Sequence, residues 1–183
     1  MDNNKPNPDP QPYKSVLAKY MTLAMQNGLK LGGLFALQAV SMLLYKFGII
    51  SSLLFLGAFI AVPIYLVILG NQFRDNQLGG QIRYTQAVGY LSWSYLFSLI
   101  VAAIVFFVAF TILFNDIYFL NMMEENIITL ENILADTPNG DEMMDSIRNL
   151  TPRSVTIQTI VSALFFGVIY IYIVGIFIKR TNK

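Results

Sequence analysis

The sequence predicts an all-α membrane protein with four transmembrane helices and an amphipathic helical hairpin in the outer loop between spans three and four. Two observations lead to this fold class. Hydrophobic residues make up 55% of the 183 residues and charged residues only 13%, about half the charged share of ordinary soluble domains. The apolar residues also fall into runs of about 20 residues or more, which is the length that crosses a bilayer.

The first two spans are predicted over residues 28–46 and 49–70. The sequence between Leu29 and Gly70 is almost continuously apolar and is about twice as long as one span requires. Lys46 and Gly48 fall in its middle. A charge and a glycine at that point favour a tight turn over one very long helix.

Spans three and four are predicted over residues 88–114 and 155–178. Thr151-Pro152 precedes the fourth span and fits a helix N-cap followed by proline at the first helical position.

The first residues of the chain alternate proline with polar residues, which is typical of an extended, disordered tail. We therefore assign residues 1–14 to such a tail and residues 15–183 to a single membrane domain.

Lysine and arginine are distributed unequally between the segments that flank the spans. Nine lie in the N-terminal segment through Lys30, between spans two and three, or after span four, and three lie on the other side, at Lys46, Arg148 and Arg153. The positive-inside rule then places both termini in the cytoplasm. The outer loop, residues 115–153, contains eight acids and two arginines.

Several kinds of chemistry are excluded by composition. The chain has no cysteine and no histidine, which excludes disulfides, thiolate or imidazole metal sites and Ser-His-Asp triads. Proton relays and ion-coupled transporters usually have a charged residue near the centre of a span. No predicted span has one. We therefore expect no enzyme, no catalytic residue, no cofactor, no metal site and no nucleic-acid partner. The expected partner is the lipid bilayer, together with either another membrane protein or a second copy of the chain.

Small residues recur at spacings of about four within the spans, which places them on shared helix faces where helices approach closely. The candidate packing residues are Gly28, Gly32, Ala36, Gly57, Ala61, Ser94, Ser98, Ala102, Ala163, Gly167 and Gly175. These faces pack either within the bundle or against a second copy. Gln38 is the best candidate for a substrate-facing polar group, and an interhelical hydrogen bond is the alternative.

The outer loop has helical periodicity. Apolar residues recur every three or four positions between Phe119 and Leu134, with acids on the other face, and a second short helix is predicted after the Pro138-Asn139-Gly140 turn. An acidic segment is poorly suited to an anionic lipid surface. We expect the two helices to cap the bundle or to contact a partner, with an inward seam formed by Met122, Ile127, Leu130 and Met144.

The loop between spans two and three contains a candidate contact for a lipid headgroup or a partner. Its residues are Arg74, Gly79, Gly80 and Arg83, since arginines beside flexible backbone suit a phosphate. An ordinary positive-inside loop is the alternative, and the loop has no P-loop motif.

This loop also resembles a known family. The residues that carry the resemblance are Arg74, Gly79, Gly80, Ile82, Tyr84, Gln86, Ala87 and Gly89. Their order is similar to the same loop of a bacterial membrane family called domain of unknown function 4199, and the likeness extends over about residues 15–180. Arg83 and Tyr84 depart from the family, which often has Ser or Thr and then Phe. The resemblance implies four spans, with the longest loop between spans three and four, and no established activity.

The leading functional interpretation is a non-enzymatic inner-membrane protein that acts as a partner, scaffold or accessory subunit. The alternative is a passive transporter of a small molecule or lipid. A cavity shared by Gln38, Ser94, Ser98 and Gln158 would favour transport, whereas pairing of these residues inside a closed bundle would count against it.

Overall fold

Six α-helices form the part of the chain that the computed structural model describes, residues 11–134 and 140–180. Their bounds are α1 Gln11–Leu43, α2 Ile49–Gln77, α3 Tyr84–Leu113, α4 Ile117–Leu134, α5 Gly140–Arg148 and α6 Pro152–Ile178. A short 3-10 turn, Tyr45–Phe47, joins α1 to α2. These described segments contain no β-strand beyond one isolated bridge, so the predicted all-α class is confirmed.

Three of these helices, α2, α3 and α6, are long and apolar enough to cross a membrane, as a membrane protein requires. The helix that was predicted to be span one, α1, is not among them. The predicted span contains Lys30 and Gln38, and Asn27 lies immediately before it.

The four long helices lie side by side. α1 packs most extensively on α3, and α6 also packs on α3, while α2 contacts both α1 and α6. The core between them includes the fully buried side chains of Leu31 from α1, Leu66 from α2, Leu91 from α3 and Ile178 from α6. This arrangement encloses the space in which a ligand site can form.

The turn predicted at Gly48 is present, but α2 and α3 are longer than the predicted spans. Gly48, with φ of 55°, separates α1 from α2, and Gly79 and Gly80, with φ of 63° and 87°, follow α2; this left-handed backbone suits glycine. α2 continues past residue 70 to Gln77, because polar residues end an apolar run without ending a helix. α3 begins at Tyr84, four residues before the predicted span. At this end the Gln86 side chain accepts a hydrogen bond from the backbone N–H of Arg83 at 3.0 Å.

The N-terminal boundary also differs from the prediction. α1 begins at Gln11, so residues 11–14, which were assigned to the disordered tail, are helical. Pro12 lies in the first turn of this helix, where a missing backbone N–H costs no intrahelical hydrogen bond. The predicted tail over residues 1–10 lies outside the described residues.

The two ends of the bundle are held by different contacts. At one end Ile82 and Arg180 exchange backbone hydrogen bonds of 2.9 and 3.2 Å, which ties the loop after α2 to the end of α6. At the other end Lys46, in the turn after α1, forms an ion pair with Asp116 before α4, with an N–O distance of 2.8 Å. The loops predicted to lie inside thus meet at one end of the bundle, and those predicted to lie outside meet at the other.

Candidate binding cavity

A cavity of about 380 Å³ lies between the four long helices, in the half of the bundle near the Lys46–Asp116 end. The residues that line it are largely aromatic or aliphatic. They are Phe35, Gln38, Met42, Phe55, Phe59, Val62, Tyr95, Phe106, Val155, Gln158, Thr159, Ser162, Ala163, Phe166 and Tyr170. The set contains no ionisable acid or base other than two tyrosines.

Aromatic contacts build the walls of this cavity. Phe59 of α2 meets Phe166 and Tyr170 of α6 at ring-centroid distances of 6.0 and 6.2 Å. On the other side Phe35 of α1 meets Tyr95 of α3 at 6.0 Å. These edge-on contacts are favourable for aromatic rings and join α2 to α6 and α1 to α3 along the walls of the cavity.

Gln38 is the polar group that distinguishes the cavity. Its side chain is only 4% exposed, and its amide Nε2 has no hydrogen-bond partner among the described residues. Gln158, on α6, lines the same cavity and is exposed. Among the described residues, the amide nitrogen of Gln38 therefore does not make the interhelical hydrogen bond that was the alternative for this residue.

The two serines that were considered together with these glutamines do not reach the cavity. Ser94 and Ser98 are completely buried on α3, and their hydroxyls donate within the helix to the carbonyls of Tyr90 at 3.1 Å and Tyr95 at 2.6 Å. They serve the contact between α1 and α3. Of the four polar residues that the sequence grouped together, the two glutamines therefore line the cavity, and the two serines lie in the packed interface between α1 and α3.

Close contacts between helices occur at four of the candidate glycines. A Cβ on Gly28 would lie 2.6 Å from the Ser94 carbonyl oxygen, and one on Gly32 would lie 2.8 Å from Cβ of Val101. A Cβ on Gly167 would overlap the ring of Tyr95, and one on Gly175 would lie 2.9 Å from Cγ2 of Val88. The same residues thus bring α1 and α6 against α3.

The other candidate packing residues divide into three groups. Ser94, Ser98 and Ala102 are completely buried, and Ala36, Ala61 and Ala163 are half-buried. Gly57 is exposed, and a Cβ there would meet nothing within 4 Å, so it corrects the prediction. Spacing placed it on one face with Ala61, but that face of α2 turns away from the neighbouring helices at this level.

The candidate headgroup site forms a structural turn. Arg74 is only 9% exposed; its guanidinium donates to the Asp75 carboxylate at 2.7 and 3.0 Å and to the Ile178 carbonyl at 3.4 Å. Gly79 and Gly80 supply the left-handed backbone of the turn. Arg83 is exposed at the start of α3. The buried guanidinium of Arg74 is therefore already paired. This pairing favours an ordinary positive-inside loop over a binding site for a lipid headgroup.

The two helices of the predicted outer loop, α4 and α5, which we call the outer helices, pack chiefly on each other. Arg148 of α5 donates to Glu131 of α4 at 2.8 Å, and the chain that connects the two helices lies outside the described residues. Met144 is 6% exposed and Ile127 is half-buried. The other two residues of the predicted seam, Met122 and Leu130, are 41% and 38% exposed. α5, with nine residues, is too short to cover both ends of the 18-residue α4.

The family comparison agrees with the resemblance noted in the sequence. The model of a family described as "Protein of unknown function (DUF4199)" matches residues 26–180. The chain belongs to the DUF4199 family. No curated protein and no solved structure matches it. The cavity, the turn around Arg74 and the outer helices all lie inside the DUF4199 region, so they are parts of the family domain, whose description assigns them no activity.

Sequence considerations found Gln38 but missed the aromatic walls around it. Phe55 and Phe59 on α2, and Phe166 and Tyr170 on α6, belong to apolar runs that look alike on every face. No periodic signal separates a cavity-lining phenylalanine from a lipid-facing one in such a helix. The polar residues Gln158, Thr159 and Ser162, clustered near the start of α6, were the available signal.

Proposed function

We propose that this protein is a non-enzymatic, four-span protein of the bacterial inner membrane that acts as a partner or accessory subunit of another membrane protein. The observation that supports a partner role best is the exposed apolar surface of α4 and α5. The arrangement of the helices in the membrane decides what that surface can reach.

The packing of α1 supports its role as a transmembrane span in addition to α2, α3 and α6. At 1.5 Å per residue its 33 residues extend about 50 Å, which exceeds the hydrocarbon thickness of a bilayer. Its polar residues Asn27 and Gln38 are buried against the other helices, whereas Leu29 and Leu37 are exposed. Between residues 27 and 43 the exposed residues are apolar except for Lys30, whose long side chain can extend to the polar interface. An outward face that is otherwise apolar is what a span in contact with lipid requires.

The ends of the bundle support an orientation with both termini in the cytoplasm. The end that contains the Ile82–Arg180 bridge also carries Arg74 and Arg83, while the opposite end has Lys46, which is paired with Asp116. The positive-inside rule favours the first end as cytoplasmic. α4 and α5 are then outside the cytoplasm.

The outer helices combine exposed apolar side chains with acids. Ile128, Ile133 and Met143 are 54%, 66% and 52% exposed, and the same segment has the exposed acids Glu124 and Glu125. Exposed apolar side chains interspersed with charges are typical of a protein-binding surface. The acids favour a partner protein that presents lysines or arginines beside apolar residues.

Photo-crosslinking in intact cells tests this proposal. A photoreactive residue at Ile133 should give one heteromeric product, and that product should be lost when Glu124→Lys and Glu125→Lys are combined in the same chain. The matched control places the probe at Phe177 of α6, which is 76% exposed and should contact only lipid. A product with the mass of two copies, or products with lipid alone from position 133, would contradict the proposal.

A second candidate function, passive transport of a neutral small molecule or lipid, is favoured by the cavity. Gln38 and Gln158 share it, with Thr159 and Ser162 beside them. The walls carry no charge that would trap or couple an ion. Vesicles with the reconstituted protein should then release a neutral solute faster than empty vesicles, and Ser162→Phe should remove the difference.

A further inference from the structure

We propose that the cavity between α1, α2, α3 and α6 binds the neutral, carbonyl-bearing group of a lipid, with the Gln38 amide donating a hydrogen bond to that carbonyl. The inference deepens the second candidate function by naming the class of ligand, and it is independent of any partner on the outer helices.

A comparison of two buried amides on α1 supports this donor role. Asn27 and Gln38 are 7% and 4% exposed. The Asn27 amide donates to the hydroxyl of Tyr90, whereas the Nε2 of Gln38 has no partner among the described residues. A buried donor without a partner is destabilising, so native proteins rarely retain one. A ligand with an acceptor would give Gln38 what Tyr90 gives Asn27.

The charge of the cavity limits the ligand to a neutral group. None of its lining residues is Lys, Arg, Asp or Glu. A carboxylate or phosphate buried there would lose its hydration without gaining a counter-ion. A carbonyl, by contrast, needs only a hydrogen-bond donor.

The size and walls of the cavity fit one end of a lipid. A volume of about 380 Å³ lies in the lower part of the range for small-molecule sites. Phe55, Phe59 and Phe166 offer apolar surface on two sides, and Ser162 and Phe166 are exposed on α6. A chain attached to the bound group can therefore leave beside α6 into the bilayer. Two sources share this chemistry, the ring of a lipid quinone and the ester of a glyceride.

Native mass spectrometry of the full-length protein, released from detergent, tests the inference with defined probes. The carbonyl-bearing probes are a decyl-substituted 1,4-benzoquinone and dioctanoylglycerol. Decylbenzene is the matched probe without a carbonyl, and decyl phosphate is the charged one. At least one carbonyl probe should bind one-to-one and about threefold to tenfold more tightly than decylbenzene, which is the range for one added hydrogen bond. Which of the two binds more tightly identifies the source.

Two variants on α1 assign the effect to the buried amide. Gln38→Leu should remove the preference for the carbonyl probe while decylbenzene binds as before. Gln26→Leu replaces an exposed glutamine of the same helix and should keep the preference. Gln38→Leu should also leave the unliganded protein at least as thermally stable as the wild type, because it removes an unpaired buried amide.

A third variant keeps the test decisive if Gln38→Leu does not fold. Ser162→Phe changes an exposed residue at the edge of the cavity and should abolish one-to-one binding of every probe. The inference is overturned if decylbenzene or decyl phosphate binds as tightly as the carbonyl probes, if the preference survives Gln38→Leu, or if no probe binds. Because the hairpin is untouched, none of these outcomes bears on the crosslinking test.

Discussion

At the residue scale, glycines decide how closely α1 and α6 approach α3. Gly167→Ala should lower the free energy of unfolding of the detergent-solubilised protein by about 1–3 kcal/mol, the usual cost of overpacking, because a Cβ would overlap the Tyr95 ring. Its melting temperature should fall accordingly. Gly32→Ala should act in the same direction, since its Cβ would lie 2.8 Å from Val101. Melting followed by helical circular dichroism in a single detergent measures both.

Gly57 provides the matched control for these substitutions. It also lies inside a long apolar helix, yet a Cβ there would meet nothing within 4 Å. Gly57→Ala should therefore be neutral or stabilise the protein by about 0.5–1 kcal/mol through helix propensity. Equal melting temperatures for the Ala variants at positions 57 and 167 would show that the close contact of Gly167 with Tyr95 is not present in solution.

The same residues show what spacing can predict. A repeat of four identified Gly28 and Gly32 on one face of α1, because the geometry of a single helix fixes which residues share a face. It also identified Gly57, which faces no neighbour, and it missed Gly70, whose Cβ would meet Ile178. What a face meets depends on a second helix, and the local pattern contains no information about that helix.

At the element scale, two adjacent methionines on α5 provide a buried position and an exposed position for comparison. Met144 is 6% exposed and Met143 is 52% exposed. Met144→Glu should separate α5 from α4, since a buried carboxylate without a counter-charge is strongly unfavourable. Limited proteolysis of the outer segment in right-side-out vesicles should then speed up, while Met143→Glu leaves the rate near that of the wild type. Equal rates in the two variants would place α5 free of α4.

The ion pair between Lys46 and Asp116 links the turn after α1 to the start of α4, and its effect depends on pH. The hydrogen bond from Lys46 lowers the pKa of Asp116, and the hydrogen bond to Asp116 raises the pKa of Lys46. The stabilisation is therefore present between the ordinary pKa values, about 4 and 10. It is lost as the pH falls through the lowered pKa of Asp116 or rises through the raised pKa of Lys46.

Asp116→Asn isolates this pair. The substitution leaves an amide oxygen for the backbone N–H of Tyr118, which donates to Asp116 Oδ1 at 3.0 Å, and replaces the charged oxygen that Lys46 contacts with an uncharged amide nitrogen. Wild type should be more stable than this variant at neutral pH, and the difference should vanish in acid and shrink at high salt. Glu131→Gln, in the exposed pair with Arg148, is the control. A difference that is constant across the acidic range would rule out the ion pair as its source.

The boundaries of α2 and α3 show why elements were placed more accurately than their ends. Apolar runs located both helices, because burial in lipid demands apolar residues. The ends at Gln77 and Tyr84 follow from local hydrogen bonds: the carbonyl of Arg74 accepts from the N–H groups of Leu78 and Gly80 at 3.2 and 3.0 Å. Hydropathy does not register such bonds, so the predicted spans were shorter than the helices.

At the scale of the whole molecule, the sequence could predict a helical membrane protein but not the cavity inside it. The Lys46-Phe47-Gly48 turn could be predicted because charge and glycine act locally. The cavity lies between residues of four helices, among them Phe59 of α2 and Phe166 and Tyr170 of α6, so no single segment determines it. Gln38 stood out because a polar residue is conspicuous in an apolar run, although its partner could not be inferred.

The orientation of the whole bundle is the last prediction, and the absence of native cysteine makes it directly measurable. Asn76 near the end of α2 and Asn126 on α4 are both exposed, and the positive-inside rule places them on opposite sides of the membrane. An impermeant maleimide on intact spheroplasts should label Asn126→Cys and not Asn76→Cys, and inverted vesicles should show the reverse. Labelling of Asn76→Cys alone on spheroplasts would invert the proposed topology, whereas labelling of both would remove α3 as a span.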